Sequence, residues 1–218
     1  ILARSGCEAF SVMTWDDDGF IERALAESPV VPQQFVHPAT ASVDDAGTRL
    51  RTWVPDADLV VTATRNAPSA LFQMINEVCL ELNVPCLRAT LEGTRIEIGP
   101  YLHPYGSACF TCMELRKRSM EEYAVEEQLY QESLAEERPA GQTKPLGEAL
   151  PFSTLAASLV AGEVVRILTE ITPPTLIDSV LTVSPLRGTF EVNRVLRVPR
   201  CPSCSRSPVA GRVFSNGS

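Results

Sequence analysis

Two cysteine pairs with the same spacing constrain this chain more than any other feature of its sequence. Cys109 and Cys112 form the first pair, and Cys201 and Cys204 form the second. Two thiolates in a C-x-x-C turn can reach one metal ion, so the two pairs together supply the four ligands of a tetrahedral Zn²⁺. The pattern therefore predicts one structural zinc site that ties the middle of the chain to its C-terminal part.

Two other chemistries stay open for these cysteines at this point. Paired thiols also form disulfides, and a C-x-x-C at the start of a helix can act as a redox pair because the helix N-terminus lowers the pKa of a thiol. The first pair precedes a predicted helix, whereas the second pair does not. This asymmetry favours a structural metal whose four thiolates leave no open position.

The composition excludes several classes of function. The chain has 218 residues, is 44% hydrophobic and carries a formal net charge of −8, which argues against nucleic acid as a partner because such binding rests on clustered Lys and Arg. No uninterrupted run of 18 apolar residues exists, so neither a membrane span nor a signal peptide is predicted. Seven cysteines, an odd number, fit a reducing compartment, so we expect a cytoplasmic protein.

Strand and helix patterns alternate in the N-terminal half. A buried strand is predicted at residues 10–15, a short helix at 21–26, and further strands at 34–37, 56–64 and 84–89. Between the last two strands, residues 68–83 place four apolar side chains on one helical face: Leu71, Ile75, Val78 and Leu82. The alternation predicts parallel βαβ units with helices covering a sheet.

The middle of the chain has a different pattern. Residues 88–100 predict a bent pair of strands that turns at Glu92 and Gly93. A helix is predicted to start at the first cysteine pair and to run to about residue 137, with seven glutamates between residues 121 and 137. A solvated helix surface and a docking face for a basic partner are both compatible with this acidic stretch.

A loop, a helix and two strands are predicted in the C-terminal part. Residues 138–150 predict a crossover loop, and the apolar helix at 152–171 contains small residues that permit close packing in the core or at a subunit interface. Strands at 176–183 and 189–198 then deliver the second cysteine pair.

The order of these elements resembles the E1-like adenylating enzymes, the superfamily of the ThiF, MoeB and MccB types. The resemblance rests on residues 58–66 and 84–86, on Gly99-Pro100, on the apolar helix and on both cysteine pairs, and it covers most of the chain. It implies an α/β, Rossmann-like E1-type fold with a mostly parallel sheet, C-terminal strands and a zinc site with four cysteine ligands.

The resemblance also implies a domain organisation. We expect a single E1-like domain over residues 1–218, with a zinc-tied portion formed by residues 88–112 and 176–204. The opening residues, Ile1 to Gly6, read as the end of a helix with a glycine cap, so the domain is expected to be incomplete at its N-terminus.

Residues 99–101 and 105–116 look most like the ThiF-like proteins of azole-peptide (TOMM, bacteriocin) biosynthesis. Those proteins accompany a YcaO-type cyclodehydratase, so the resemblance implies a precursor leader peptide and a YcaO-type enzyme as partners, and a homodimer. In relatives a small winged-helix region binds the leader peptide as an added strand. Here that region would lie before Ile1.

Two positions bear on the nucleotide chemistry of the superfamily. Adenylating members carry a Mg²⁺-binding Asp directly before the Asn at a strand end, where this sequence has Arg65 before Asn66. Since a cation does not ligate a cation, ATP and Mg²⁺ are not expected to bind this chain. Asp16 lies at the position of the ribose-binding acid and is either a weak nucleotide contact or a plain turn carboxylate.

No catalytic set of side chains can be assembled from the sequence. The two histidines are His37, at a predicted strand end, and His103, for which a surface or hydrogen-bonding role is expected. Cys7, Cys79 and Cys86 are expected to be buried small hydrophobic residues.

Three functions fit the sequence. The favoured one is a non-adenylating E1-like component of a peptide heterocyclisation complex, which binds the leader peptide and presents the core to the YcaO-type enzyme. The alternatives are an adenylyltransferase that activates a peptide or sulfur-carrier C-terminus, and a zinc-stabilised scaffold protein.

Overall fold

The computed structural model describes residues 11–13, 34–36, 43–65, 69–103, 106–120 and 150–205. In chain order these residues form β1 (Ser11–Met13), β2 (Gln34–Val36), α1 (Val43–Trp53), β3 (Val60–Arg65), α2 (Ser69–Leu82), β4 (Cys86–Glu92), β5 (Arg95–Leu102), α3 (Phe110–Met120), α4 (Leu150–Thr169), β6 (Ser179–Ser184) and β7 (Thr189–Arg194). A short 3-10 turn, Val54–Asp56, follows α1. The chain divides into two compact units, which we describe separately, and the single-domain expectation stays a prediction.

The first unit contributes one described pair of strands. β1 and β2 pair in parallel, with Ser11 opposite Gln34 and Met13 opposite Val36. This confirms a strand within each of the predicted ranges 10–15 and 34–37. The helix predicted at 21–26 lies outside the described residues.

The second unit is built on a five-stranded sheet with the order β3-β4-β5-β6-β7. β3 and β4 are parallel, whereas β4-β5, β5-β6 and β6-β7 are antiparallel. The α/β class is therefore confirmed, but the prediction of a mostly parallel sheet is wrong for this sheet, which is mixed. For β4-β5 and β6-β7 the physical reason is connection length: the short turns after β4 and β6 permit only an antiparallel return, whereas a parallel neighbour needs a helical crossover such as α2. β5 and β6 are connected through α3 and α4 and pair antiparallel as well.

The β4-β5 hairpin turns where the sequence predicted. Gly93 lies in the turn with a φ of 58°, a left-handed conformation that glycine adopts without strain. Gly99, in β5, has a φ of 99°, and a Cβ there would lie 2.7 Å from the carbonyl oxygen of Ser179. Only glycine lets β5 pass this close to the backbone at the start of β6.

Helix α2 lies over the sheet with the predicted apolar face. Leu71, Ile75 and Val78 are buried against a core that includes Leu87 of β4 and Ile98 of β5. Leu82, the fourth predicted member of that face, is only partly buried at the end of the helix.

Helix α1 was not predicted from the sequence. Its eleven residues are largely polar and include Gly47, but Val43, Ala46, Leu50 and Trp53 recur at helical spacing, a signal that the prediction missed. Within the part of α1 whose side chains are described, Leu50 is buried, and Val54 of the following turn is buried as well. Gly47 leaves room for Met74 of α2, whose Sδ would lie 3.5 Å from a Cβ at that position.

Helix α4 begins and ends two residues before the predicted range. One face is buried, at Val160, Ala161, Glu163 and Val164, and the helix contacts β4 and β5. By length and composition alone, its residues Pro151–Thr169 could cross a membrane. The buried carboxylate of Glu163, however, accepts hydrogen bonds from the backbone N–H groups of Thr175 and Leu176, at 2.6 and 3.0 Å, which tie the helix to the segment before β6.

The remaining predictions for the C-terminal part are met in outline. β6 and β7 lie within or next to the predicted ranges 176–183 and 189–198, and they are joined by a turn closed by hydrogen bonds from Arg187 and Gly188. The first cysteine pair does start a helix, α3, which is described to Met120. The predicted continuation to residue 137 and the loop at 138–150, up to residue 149, lie outside the described residues.

Candidate functional site

Two tight turns carry the cysteine pairs. Cys109 directly precedes α3, Cys112 lies in its first turn, and the N–H of Met113 donates to the carbonyl oxygen of Cys109 at 3.2 Å. Cys201 and Cys204 lie in a turn in which the N–H of Ser205 donates to the carbonyl oxygen of Cys201 at 3.1 Å. Both turns therefore present their two thiols on the same side.

The four predicted ligand residues lie together in the core. Their sulfur atoms all lie within 4.8 Å of one another, and all four side chains are buried. The Sγ atom of Cys109 lies 3.8 Å from that of Cys112 and 3.6 Å from that of Cys201, and the Cys112 and Cys204 sulfurs are 3.5 Å apart. The structure thus joins residues of α3 to the segment after β7.

These distances fit a tetrahedral metal site better than disulfides. With zinc–sulfur bonds of about 2.3 Å, the sulfur atoms of a regular tetrahedron are about 3.8 Å apart. A disulfide needs sulfur atoms about 2.05 Å apart, and all four cysteines are free thiols. The arrangement can hold one divalent soft metal ion with no position left for water.

The packing of four thiols perturbs their protonation. The hydrogen bonds donated by Cys109 and Cys204 lower the pKa of Cys112, and a backbone N–H from Val198 reaches its Sγ at 3.3 Å. For Cys204 the hydrogen bond with Cys109 lowers the pKa, but the one with Cys112 and burial raise it to about 11. Cys112 is therefore the preferred thiolate, and a metal would displace the protons of the other thiols.

Asp178 connects the approaches to both turns. Its carboxylate accepts a hydrogen bond from the N–H of Ala108, the residue before Cys109, at 2.5 Å. Its carbonyl oxygen accepts one from the N–H of Val195 at 2.8 Å, in the segment that leads to the second pair. Sequence reasoning missed this role, because an Asp before a strand gives no signal beyond that of an ordinary turn residue.

A buried charge cluster lies beside the first turn. The carboxylate of Glu97, in β5, meets Nη1 of Arg88 at 2.8 Å and Nζ of Lys117 at 2.9 Å. The guanidinium of Arg88 also lies over the rings of Phe72 and Phe110, at 4.7 and 5.3 Å from their centroids. Burial disfavours the charge on Glu97, but Lys117 and Arg88 outweigh it and hold the pKa of this carboxyl below its usual value.

A small cavity adjoins this cluster. Its volume is about 20 Å³, and its lining includes Thr62, Asn76, Arg88 and Phe110. Nε of Arg88 is buried and has no hydrogen-bond partner among the described residues. A space of this size holds about one or two water molecules, and one of them could accept a hydrogen bond from Nε of Arg88. The cavity is too small to hold a substrate molecule.

The other residues singled out in the sequence do not join the site. Cys79 and Cys86 are buried, as predicted, and Sγ of Cys86 lies 3.9 Å from the hydroxyl of Thr62. His103 is half-buried, with its ring packed edge-on against Tyr101. Arg65 is the last residue of β3. Cys7, Asp16 and His37 lie outside the described residues.

Comparison with known proteins decides the family. The ThiF family model matches residues 27–205, which is most of the chain and includes both cysteine pairs. The chain belongs to the ThiF family. This confirms the resemblance to the ThiF/MoeB/MccB superfamily, and no curated protein sequence matches this ThiF-family chain significantly.

Solved structures share the fold of this ThiF-family chain. The E. coli MccB complex with ATP has a TM-score of 0.60 and 20% sequence identity over 85% of this chain and 50% of MccB. The microcin C7 biosynthetic enzyme MccB with N-formylated MccA has a TM-score of 0.60, 19% identity and 84% and 50% coverage. A heterocyclase with substrate and cofactor has a TM-score of 0.53 and 17% identity, and it is matched over 76% of this chain and 24% of its own. The chain thus spans about half the length of MccB.

Proposed function

We propose that this protein is the E1-like component of a peptide heterocyclisation complex, which binds a precursor leader peptide and presents the core to a YcaO-type cyclodehydratase. The observation that carries the proposal is the fold shared with MccB, solved with N-formylated MccA, and with a heterocyclase, solved with its substrate. A ThiF-family chain with this fold is suited to hold a peptide in the cytoplasm while a partner performs the chemistry.

The same protein is proposed not to adenylate its peptide. The support is local: β3 ends at Arg65, followed by Asn66, where adenylating members of the superfamily carry an Asp for Mg²⁺. Bringing Mg²⁺ and its triphosphate next to a guanidinium in place of a carboxylate removes one metal ligand and adds a like charge. ATP is then consumed by the partner enzyme.

Peptide binding and nucleotide activation can be separated in one set of assays. Fluorescence anisotropy should show that a labelled precursor peptide binds this protein. An unlabelled core peptide without the leader should not displace it. ATP–pyrophosphate exchange should stay at the background of a reaction without protein. Failure to bind either the precursor or the YcaO-type partner would contradict the proposal.

An adenylyltransferase is the second candidate, because MccB with ATP shares this fold. Robust ATP–pyrophosphate exchange in the presence of a peptide or a sulfur-carrier protein would favour it. The variant Arg65→Asp separates the two functions further, since restoring the carboxylate should help only a chain that still has the rest of the nucleotide site.

The four cysteines are proposed to hold one structural Zn²⁺. A closed set of four thiolates activates no water, so the metal stabilises the fold and takes no part in the reaction. Metal analysis of the purified protein should find one zinc per chain. A protein that carries no metal and takes up none would contradict this assignment and leave the third candidate, a zinc-stabilised scaffold, equally untenable.

A homodimer is proposed as the assembled state. β7 is paired on one side only within the described sheet, and its Phe190 and Val192 side chains are 58% and 61% exposed. Exposed apolar side chains on a strand edge are typical of an interface. Light scattering after size-exclusion chromatography tests this, and a monomer at micromolar concentration would contradict it.

A further inference from the structure

A closed ring of hydrogen bonds joins the two cysteine turns to helix α2. Thr111 and Ser203 occupy the same position, the one before the second cysteine, in their respective turns. Their hydroxyl oxygens lie 2.8 Å apart although they are 92 residues apart in the chain. Gln73, on α2, accepts from the Thr111 hydroxyl through Oε1 at 2.9 Å and donates through Nε2 to the Ser203 hydroxyl at 3.0 Å.

The chemistry of the groups fixes the direction of each bond in this ring. The amide oxygen of Gln73 can only accept and its NH₂ group can only donate, so the Thr111 hydroxyl donates to Gln73 and the Ser203 hydroxyl accepts from it. Ser203 must then donate to Thr111. Within the ring each member gives one hydrogen bond and takes one, an arrangement in which the bonds polarise one another and strengthen together.

A second amide on α2 supports the same contact. Oδ1 of Asn76 accepts from the N–H of Phe110 at 3.0 Å, and its Nδ2 donates to the Thr111 hydroxyl at 3.4 Å. Asn76 thus binds a backbone N–H that the first turn of α3 leaves without a helical partner. Two amides of α2 therefore hold the turn that contains Cys109 and Cys112.

We propose that Gln73, Thr111 and Ser203 are positioning residues that couple metal binding at the four cysteines to helix α2. The ring can close only when the two turns meet, and the four sulfur atoms can share a metal only in the same arrangement. Each therefore stabilises the other, and the coupling is reciprocal. The inference goes beyond peptide binding and rests on the assignment of a metal to the four cysteines.

The coupling extends from the metal site to the buried charge cluster. Phe72 precedes Gln73 on α2, and Phe110 lies between Cys109 and Thr111, and the two rings pack together with centroids 5.5 Å apart beside Arg88. When the metal and the ring hold these segments, the two aromatic side chains are held against the guanidinium. Loss of the metal should loosen both.

The first test measures metal release to a chromogenic chelator from the metal-loaded protein. Thr111→Val and Ser203→Ala should each release the metal about 10-fold faster or more, as other losses of hydrogen-bond partners around metal ligands do. The double variant should release it little faster than either single variant, because both substitutions open the same ring. Thr111→Ser keeps the hydroxyl and should restore the wild-type rate. The exposed Ser205, next to Cys204, provides the matched control Ser205→Ala, which should leave the rate unchanged.

The second test measures hydrogen–deuterium exchange in α2 with and without metal. In the wild-type protein, removal of the metal should speed exchange in the peptides that cover Gln73 and Asn76. In Thr111→Val the metal should no longer protect them. Release rates equal to wild type, or equal α2 exchange in the two metal states of the wild-type protein, would overturn the coupling. A wild-type protein that binds no metal would overturn the metal assignment itself. Peptide binding is measured in a separate anisotropy assay, so a failure of the proposed function can be told apart from a failure of this coupling.

Discussion

Replacing Glu97 with Gln isolates the charge at the centre of the buried cluster. The side chain of Glu97 is 9% exposed and that of Arg88 is 8% exposed, with 2.8 Å between the carboxylate and Nη1. Gln keeps the volume and one hydrogen bond but removes the carboxylate charge that pairs directly with the buried guanidinium. Removal of one partner from a buried ion pair costs about 3–5 kcal/mol of unfolding free energy.

The cost at the neighbouring Lys117 should be smaller. Its side chain is 38% exposed, so water screens its contact with Glu97, and Arg88 remains paired when Lys117 is changed to Met. A partly exposed pair of this kind contributes about 1 kcal/mol or less. Glu97→Gln should therefore lower the free energy of unfolding much more than Lys117→Met, because it breaks the buried pair with Arg88 as well as the pair with Lys117.

Urea unfolding followed by circular dichroism measures both free energies, and thermal unfolding gives a check. For a chain of this size each kcal/mol lowers Tm by about 2–4 °C, so Glu97→Gln should lower it by about 10 °C. The exposed Glu92, at the end of β4, provides the control Glu92→Gln, which should stay within about 0.5 kcal/mol of wild type. A loss below about 1 kcal/mol for Glu97→Gln would refute the reasoning.

Three further predictions follow from the same structure. Lys117 and Arg88 outweigh burial and hold the pKa of Glu97 below its ordinary value of 4.5, so its ion pairs stabilise the fold above that pH. Their contribution is lost as pH falls through the lowered pKa, and the stability gap between wild type and Glu97→Gln should close in acid titrations followed by fluorescence. Gly99→Ala should cost about 2 kcal/mol or more in urea unfolding, because its Cβ meets a backbone oxygen, whereas Gly188→Ala, at an open position with positive φ, should cost about 1 kcal/mol. Cys112→Ser should abolish stoichiometric metal binding in metal analysis, and the metal affinity of the wild type should fall as pH is lowered, because bound thiols must lose their protons.

Much of the fold is encoded in local patterns. The helix α2 was predictable from Leu71, Ile75 and Val78, and the hairpin at Gly93 from its turn residues, because these signals depend only on neighbours in sequence. Strand pairing is not local. The sequence therefore placed β4 to β7 correctly as strands and predicted the β4-β5 hairpin, but it could not show that the distant strands β5 and β6 pair antiparallel.

The candidate site likewise combines features that local sequence predicts with features that depend on tertiary packing. The cluster of four cysteines was predictable because C-x-x-C spacing is itself the geometric requirement of a shared metal site. The ring of Gln73, Thr111 and Ser203 was not, since it joins residues 38 to 130 positions apart whose types are common on surfaces. Arg88 and Glu97 gave one usable signal, since each is a charged residue between two apolar neighbours in a strand, but their partners depend on tertiary packing.

The central claim is that this ThiF-family protein presents a peptide to a partner enzyme and does not activate the peptide itself. The most direct measurement is mass spectrometry of a precursor peptide incubated with ATP and the YcaO-type enzyme, with and without this protein. The account predicts loss of one water per azoline only when this protein is present and the leader is intact. Equal dehydration without this protein, or a peptidyl adenylate formed by this protein alone, would contradict the account.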